Sequence, residues 1–256
     1  MNTPIPNIFD LANARELCRA SADAYTAAAG AGHVIVSERR TDTRLVITGR
    51  GDDLIFAFRG TADLRNWLTD LDCELIRVGN FRVHRGFHEA ARAVESDVFT
   101  VPGDARGARL WVTGHSLGGA LAMLWALWAA RRGHEIAGVY TFGQPRVGDA
   151  AFSHLYNSRL KTRTWRSVHA DDIVPRVPWL LGRYRHAGHE VFLGNRNNSS
   201  YILDPSVLSK LPCDLFHAVR ELRYGKVALL ADHHVHTYLA FFPEFIPSAA
   251  RAVAFS

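Results

Sequence analysis

Leu110-Trp111-Val112-Thr113-Gly114-His115-Ser116-Leu117-Gly118-Gly119-Ala120-Leu121-Ala122 runs from an apolar, β-branched segment through a Gly-x-Ser-x-Gly motif into a helix-forming run. A nucleophilic serine projects from such a strand-to-helix turn, where small flanking residues let strand and helix nearly touch. Gly114 and Gly118 supply that closeness. The turn also aims the amide of Leu117 at any oxyanion that forms beside Ser116. A chance motif seldom lies between a strand and a helix, so this context favours a nucleophile elbow.

Length and composition favour one globular domain over residues 1–256. Of the 256 residues, 48% are hydrophobic and 21% charged, which is enough apolar surface for a sizeable core. The longest apolar run, residues 118–130, is shorter than the roughly 20 residues that span a bilayer, so we predict a buried helix and no transmembrane segment. Residues 1–6 lack the basic and apolar regions of a signal peptide. The location therefore stays open between the cytoplasm, export by another route, and export with a leader that has been removed.

Charge and cysteine usage exclude several function classes. The net charge is +5 and the sequence pI about 9.4, but the arginines are scattered, which argues against nucleic-acid binding and fits weak attraction to an anionic lipid surface. The three cysteines, Cys18, Cys73 and Cys213, are odd in number and far apart, which predicts reduced thiols. Neither they nor the histidines follow a metal-binding spacing, so we expect no metal and no cofactor.

Strands alternate with helices along most of the chain, which is typical of an α/β protein with a largely parallel sheet. We predict strands at residues 33–38, 44–50, 54–58, 109–113, 136–142, 162–168, 188–193 and 201–203. We predict helices over about 8–29, 117–132, 213–224 and 234–242. One further helix should follow residues 83–87 and end near residue 101, and another should follow Asp149 and end near residue 160.

The segment at about 62–71 has a single apolar stripe. Its apolar residues follow the i, i+3, i+4, i+7 spacing of one helix face and are Leu64, Trp67, Leu68 and Leu71. Such a helix could simply pack on the core, or it could be a lid that covers an apolar pocket and turns outward at a lipid surface. Its position directly after Arg59-Gly60-Thr61 favours the lid.

A serine nucleophile needs a base within hydrogen-bond reach and a carboxylate that orients the base. In α/β-hydrolases these residues follow one another as Ser, Asp or Glu, and His. Asp172 follows the predicted strand at 162–168, with Asp171 as a weaker competitor. His233 lies beyond it in the same order, and two neighbouring histidines compete for the role of base, namely His234 and His236.

Six motifs in order resemble the fungal-type (class 3) triacylglycerol lipases. They are Phe58-Arg59-Gly60-Thr61, Arg65-Asn66-Trp67-Leu68-x-Asp70-Leu71, Val83-His84-x-Gly86-Phe87, Gly114–Ala122, Thr141–Gly148 and Asp172–Pro178. A weaker match follows at Asp232-His233 and Tyr238-Leu239. The resemblance therefore extends over about residues 54–178 and returns near the last predicted helix.

The resemblance implies an α/β-hydrolase fold, in which helices flank a largely parallel central sheet and a short helical lid lies at about 62–71. It implies that Ser116 is the nucleophile, Asp172 the acid and His233 the base. Thr61 matches the family's oxyanion position, beside the amide of Leu117. We expect the other motif histidines to pack or to form hydrogen bonds and not to act as a second base, namely His84 and His115.

We therefore expect a serine carboxylic-ester hydrolase, foremost a lipase that hydrolyses acylglycerols through an acyl-enzyme on Ser116. A feruloyl-type or other short-chain esterase and a phospholipase remain alternatives on the same scaffold. A non-catalytic, lipase-like binding module is the alternative from another class, and the presence of nucleophile, acid and base argues against it. The expected partner is a lipid or other ester, met at a lipid–water interface, and we expect a monomer.

Overall fold

An eight-stranded sheet is the centre of the fold. The computed structural model describes residues 8–30, 32–61, 73–95, 107–170, 172–178, 182–194, 201–206 and 233–242. With strands numbered in chain order, the sheet contains β1 (His33–Glu38), β2 (Thr43–Arg50), β3 (Asp53–Phe58), β6 (Leu110–His115), β7 (Ile136–Phe142), β8 (Thr164–His169), β9 (His189–Leu193) and β10 (Tyr201–Leu203). The expected lid at 62–71, the helix expected at 213–224, Asp171 and Cys213 lie outside the described residues.

The strand order is β1-β2-β3-β6-β7-β8-β9-β10. The five strands from β3 to β9 along this order are parallel to one another, whereas β1 and β2 at one edge and β10 at the other pair antiparallel. The predicted α/β-hydrolase fold with a largely parallel sheet is thereby confirmed. Parallel strands end at the same edge of a sheet, so the loops after β3, β6, β7 and β8 meet there.

Helices cover both faces of the sheet. They are α1 (Leu11–Asp23), α2 (Arg85–Ala93), α3 (Leu117–Arg131), α4 (Ala150–Leu160) and α5 (Val235–Phe241). Within the described ranges no helix is long and apolar enough to cross a membrane. One apolar cluster includes α2, α3 and α4 side chains, and a second includes α1 and α5 side chains. The strand β6 contributes to both, because Val112 packs in the first cluster and Trp111 in the second.

Two helix ends differ from the sequence prediction. Helix α1 ends at Asp23 and not near residue 29, because a tighter turn follows in which the Tyr25 amide bonds to the Ala22 carbonyl at 3.2 Å. That turn brings the Tyr25 side chain to His115. Helix α2 begins already at Arg85, because the ring of His84 accepts the Phe87 amide and caps the helix.

One hairpin was not predicted. Strands β4 (Leu75–Val78) and β5 (Phe81–His84) form a separate two-stranded antiparallel sheet. The two residues between them, Gly79 and Asn80, are a hairpin signal, and Gly79 has a φ of 61°. The hairpin supports the loop after β7, because the His84 amide donates to the Val147 carbonyl at 2.9 Å.

The turn between β6 and α3 depends on backbone-to-backbone contact. A Cβ added at Gly114 would lie 2.3 Å from the Gly118 backbone, and one added at Gly118 would lie 2.1 Å from the Phe58 carbonyl oxygen. Non-bonded carbon atoms do not approach so closely, so neither position accepts a side chain unless the backbone shifts. The closeness predicted for the two motif glycines is therefore observed.

We expect Gly118→Ala to destabilise the fold by roughly 3 kcal/mol or more, because the added methyl group meets backbone that cannot rotate away. Thermal unfolding should then shift down by about 6–12 °C for a chain of this size. Gly49→Ala is the matched control, because an added Cβ at this exposed β2 position would have no atom within 4 Å. Equal melting temperatures for the two variants would contradict the proposed contact.

Candidate active site

Ser116 has a strained backbone at the end of β6. Its φ of 59° and ψ of −131° are unusual for a residue with a side chain. The conformation is held from both sides, since the Ser116 amide donates to the Phe142 carbonyl and its own carbonyl accepts the Gly119 amide, both at 2.9 Å. The side chain is 1% exposed, and its Oγ has no hydrogen-bond partner in the part of the chain that the structure describes.

The loop after β3 passes directly beside this serine. A Cβ added at Gly60 would lie 2.7 Å from the His115 carbonyl oxygen and 3.3 Å from the Ser116 Cβ. Thr61 is the next residue, so the residue that the family resemblance implies as an oxyanion donor belongs to this loop. Helix α3 begins at Leu117, and the first amides of a helix point away from it with no intrahelical acceptor. Leu117 therefore follows Ser116 directly in the chain, and Thr61 follows the glycine that packs against Ser116.

Asp172 is fully buried and accepts three hydrogen bonds from residues that the structure describes. Its Oδ1 accepts the Val174 amide at 2.8 Å. Its Oδ2 accepts the Tyr238 hydroxyl at 2.5 Å and faces His233 Nδ1 at 2.6 Å. A carboxylate has no proton to give, so His233 Nδ1 carries the proton and its Nε2 is left as an acceptor. An imidazole in this tautomer is oriented as a general base.

Of the three candidate histidines, only His233 reaches Asp172. It is 2% exposed, whereas His234 and His236 are exposed on α5, with His234 at the N-cap. His233 Nε2 is buried and has no hydrogen-bond partner among the described residues, like the Oγ of Ser116. In structures without substrate, catalytic hydrogen bonds are often long or unformed.

Gly143 supports the acid and the histidine from the loop after β7. A Cβ at this position would lie 2.6 Å from His233 Cε1 and 2.8 Å from Asp172 Oδ2. Its φ of 61° is also one that glycine adopts most readily. The sequence shows the break after the buried strand but not this contact, which depends on residues far apart in the chain.

Tyr238 is a second residue whose role the sequence did not reveal. Besides donating to Asp172, its hydroxyl accepts the His169 amide at 3.2 Å. Burial, followed by the neighbouring Asp172 charge, raises the pKa of Tyr238 well above its usual range. The phenol therefore keeps its proton and donates to Asp172. The signals in the sequence were its place five residues after His233 and the weak family match at Tyr238-Leu239.

The motif histidine His84 has structural contacts. The ring of His84 stacks on Phe87 with 4.0 Å between the ring centroids, and it also caps α2.

The cysteine Cys18 is a free, buried thiol. No cluster of three or more potential metal ligands occurs among the residues that the structure describes.

The α/β-hydrolase class of proteins is defined by a strained serine between a parallel strand and a helix. A buried Asp–His pair lies on the same edge of the sheet, as it does here. A family model for Lipase (class 3) matches residues 55–181. A triacylglycerol lipase whose catalytic centre is a serine-protease triad has a similar structure, with a TM-score of 0.66 and 30% identity over 73% of this chain and 81% of that one. The chain therefore belongs to the class 3 lipase family, as its motifs predict.

Two curated relatives show the extent of the similarity. Secreted mono- and diacylglycerol lipase 1 of Fusarium solani is 34% identical over 150 residues, which cover 55% of this chain and 44% of the relative. A lipase of Rhizomucor miehei is 32% identical over 187 residues, covering 67% of this chain and 51% of the relative. The matches thus span about half the length of these relatives.

The three donors on Asp172 lead to a prediction about stability. Tyr238→Phe should lower the free energy of unfolding by about 1.5–3 kcal/mol, because it removes a hydrogen bond to a buried charge. Tyr156→Phe is the control, since its hydroxyl bonds to the neutral Thr164 hydroxyl at 3.0 Å and is also buried. That change should cost only about 0.5–1.5 kcal/mol. Urea unfolding at neutral pH measures both, and an equal or smaller loss for Tyr238→Phe would contradict the charged bond.

Proposed function

We propose that this chain is a serine ester hydrolase of the lipase type, with Ser116, His233 and Asp172 as its catalytic triad. The observation that carries the proposal is the buried pair of Asp172 and His233, in which Oδ2 and Nδ1 are 2.6 Å apart. His233 Nε2 is left as an acceptor, on the sheet edge that carries Ser116. An intact acid–base pair argues against a non-catalytic binding module, because such a module has no use for this buried carboxylate.

The chemistry follows from the protonation states. Ser116 Oγ attacks the ester carbonyl while His233 Nε2 takes the hydroxyl proton, and Asp172 stabilises the imidazolium that forms. The amides of Thr61 and Leu117 donate to the developing oxyanion. His233 then passes the proton to the leaving alcohol, which leaves an acyl-enzyme on Ser116. A water molecule attacks the acyl carbon by the same route in reverse, releases the acid and restores the serine.

Acylglycerols are the substrates that the relatives favour. The Fusarium relative is named for mono- and diacylglycerols, and the structural relative is a triacylglycerol lipase. The secreted character of the Fusarium protein also favours export of this chain over a cytoplasmic location. A short-chain or feruloyl-type esterase and a phospholipase would use the same triad, so the acyl chain and the physical state of the substrate must distinguish them.

The triad is tested by three single variants. Ser116→Ala should lower kcat by at least about 10³-fold, because the attacking oxygen is lost, and His233→Ala should be comparably damaging. His234→Ala is the matched control, since this neighbour is exposed, and it should keep close to full activity. A serine-directed phosphonate should add one equivalent to the wild type and none to Ser116→Ala. Turnover by folded Ser116→Ala at the wild-type rate would refute the proposal.

The substrate class is tested at the solubility limit. If residues 62–71 form a lid, opening it in water exposes apolar side chains at a cost of roughly 1.5–3 kcal/mol each, and a lipid interface offsets that cost. Hydrolysis of a medium-chain acylglycerol should therefore rise steeply once the substrate forms an emulsion. Trp67→Asp should remove much of the rise and spare a short soluble ester, whereas Thr69→Asp, outside the apolar stripe, should keep it. A hydrolysis rate that follows simple saturation through the solubility limit of the substrate would favour an esterase.

A further inference from the structure

Two hydrogen bonds link Tyr25, which packs against the oxyanion loop, to the backbone of His233. A Cβ added at Gly60 would lie 2.3 Å from the Tyr25 hydroxyl oxygen, so this hydroxyl lies directly against the loop. The Tyr25 hydroxyl lies 3.1 Å from His115 Nδ1, and His115 Nε2 lies 2.7 Å from the His233 carbonyl oxygen. These contacts join residues 90 and 118 positions apart in the chain. We call them the Tyr25–His115 relay.

The chemistry of the partners fixes the direction of each hydrogen bond. A carbonyl oxygen only accepts, so His115 Nε2 carries the proton that bonds to His233. In a neutral imidazole the other nitrogen is then an acceptor, so Tyr25 donates to His115 Nδ1. Every proton in the relay therefore has one defined place.

Burial keeps both side chains in these protonation states. It raises the pKa of Tyr25 to about 12, so the hydroxyl keeps its proton. Burial, followed by the proximity of His233, lowers the pKa of His115 well below its usual range. The two imidazole rings have centroids 4.6 Å apart. A neutral His115 is therefore suited to lie beside a histidine that becomes positively charged during catalysis.

We propose that Tyr25 and His115 are positioning residues that hold the backbone of His233, so that its ring presents Nε2 to Ser116. This inference rests on the proposed function. The His233 ring is bound to Asp172 at Nδ1, but a ring that is fixed at one atom can still swing about its side-chain bonds. The bond from His115 to the His233 carbonyl supplies the second anchor.

The position of His115 makes this anchor specific. It directly precedes Ser116, so one residue carries the nucleophile on its backbone and binds the base through its side chain. A small shift of the end of β6 therefore moves nucleophile and base together. Tyr25 also packs against Gly60, which precedes the predicted oxyanion residue Thr61. Nucleophile and base thus share one set of hydrogen bonds, and the oxyanion loop lies against it.

Tyr25→Phe tests the relay while keeping the ring. We expect kcat to fall by between about tenfold and a hundredfold with KM little changed, because a small misplacement of a catalytic group costs that much. Tyr156→Phe is the control for loss of a buried hydroxyl, since it bonds to Thr164 away from the triad. It should leave kcat unchanged even if it lowers the melting temperature as much. Equal kcat values for the two variants would refute the relay.

His115 is tested by a pair of substitutions. His115→Leu removes the donor to the His233 carbonyl and should lower kcat at least as much as Tyr25→Phe. His115→Gln can place an amide N–H near the same point and should restore most of the rate. In the Tyr25→Phe/His115→Leu double variant the two losses should not add, because both break one relay. Additive losses, or equal rates for the Leu and Gln variants, would contradict it.

A spectroscopic readout separates this inference from the proposed function and from misfolding. In the wild type, the proton between His233 Nδ1 and Asp172 should give a low-field NMR resonance, which should shift or broaden in Tyr25→Phe and stay unchanged in Tyr156→Phe. An unchanged resonance in folded Tyr25→Phe would refute the relay even if the protein had no esterase activity. Full activity of Ser116→Ala would instead refute the proposed function alone.

Discussion

The backbone of α3 touches the backbone of β6 and of the end of β3, and the geometry of the whole site depends on this contact. Gly114, Gly118 and Gly60 each lack a side chain where a Cβ would meet other atoms at less than 3 Å. The contact forces Ser116 into its positive φ, which would be unstable in a free loop. It persists because β6 is paired on both sides, with β3 and with β7. The sheet therefore carries the strain that projects the serine.

The burial of Asp172 is the second constraint. A carboxylate without exposure to water is costly unless hydrogen bonds replace its hydration. Among the residues that the structure describes, an amide, a phenol and an imidazole form hydrogen bonds with Asp172, and in the resting state of the proposed mechanism all three are neutral. These groups replace the hydration of the carboxylate and bring no positive charge. The carboxylate gains a full opposite charge beside it when His233 takes a proton, which stabilises the transition state more than the resting state.

Sequence patterns predicted those parts of the structure that local physics determines. The strands at His33–Glu38, Ile136–Phe142 and Tyr201–Leu203 have the bounds expected, because apolar and β-branched runs between turn residues specify them. The elbow was visible because its glycines and its serine lie within five residues. Long-range contacts were not visible. The hydrogen bonds of Tyr238 to Asp172 and of Tyr25 to His115 span 66 and 90 residues, and no local pattern encodes such a pairing.

The order of the parallel strands explains why the histidine was the hardest site residue to assign. Strands β3, β6, β7 and β8 are neighbours, and their carboxyl ends deliver Thr61, Ser116, Gly143 and Asp172 to one edge. His233 comes from outside the sheet, directly before α5, which packs on α1. Its position is therefore set by hydrogen bonds to side chains and not by strand register. In sequence only a weak family match separates His233 from its two neighbouring histidines, whereas in the structure its ring reaches Asp172 and its carbonyl reaches His115.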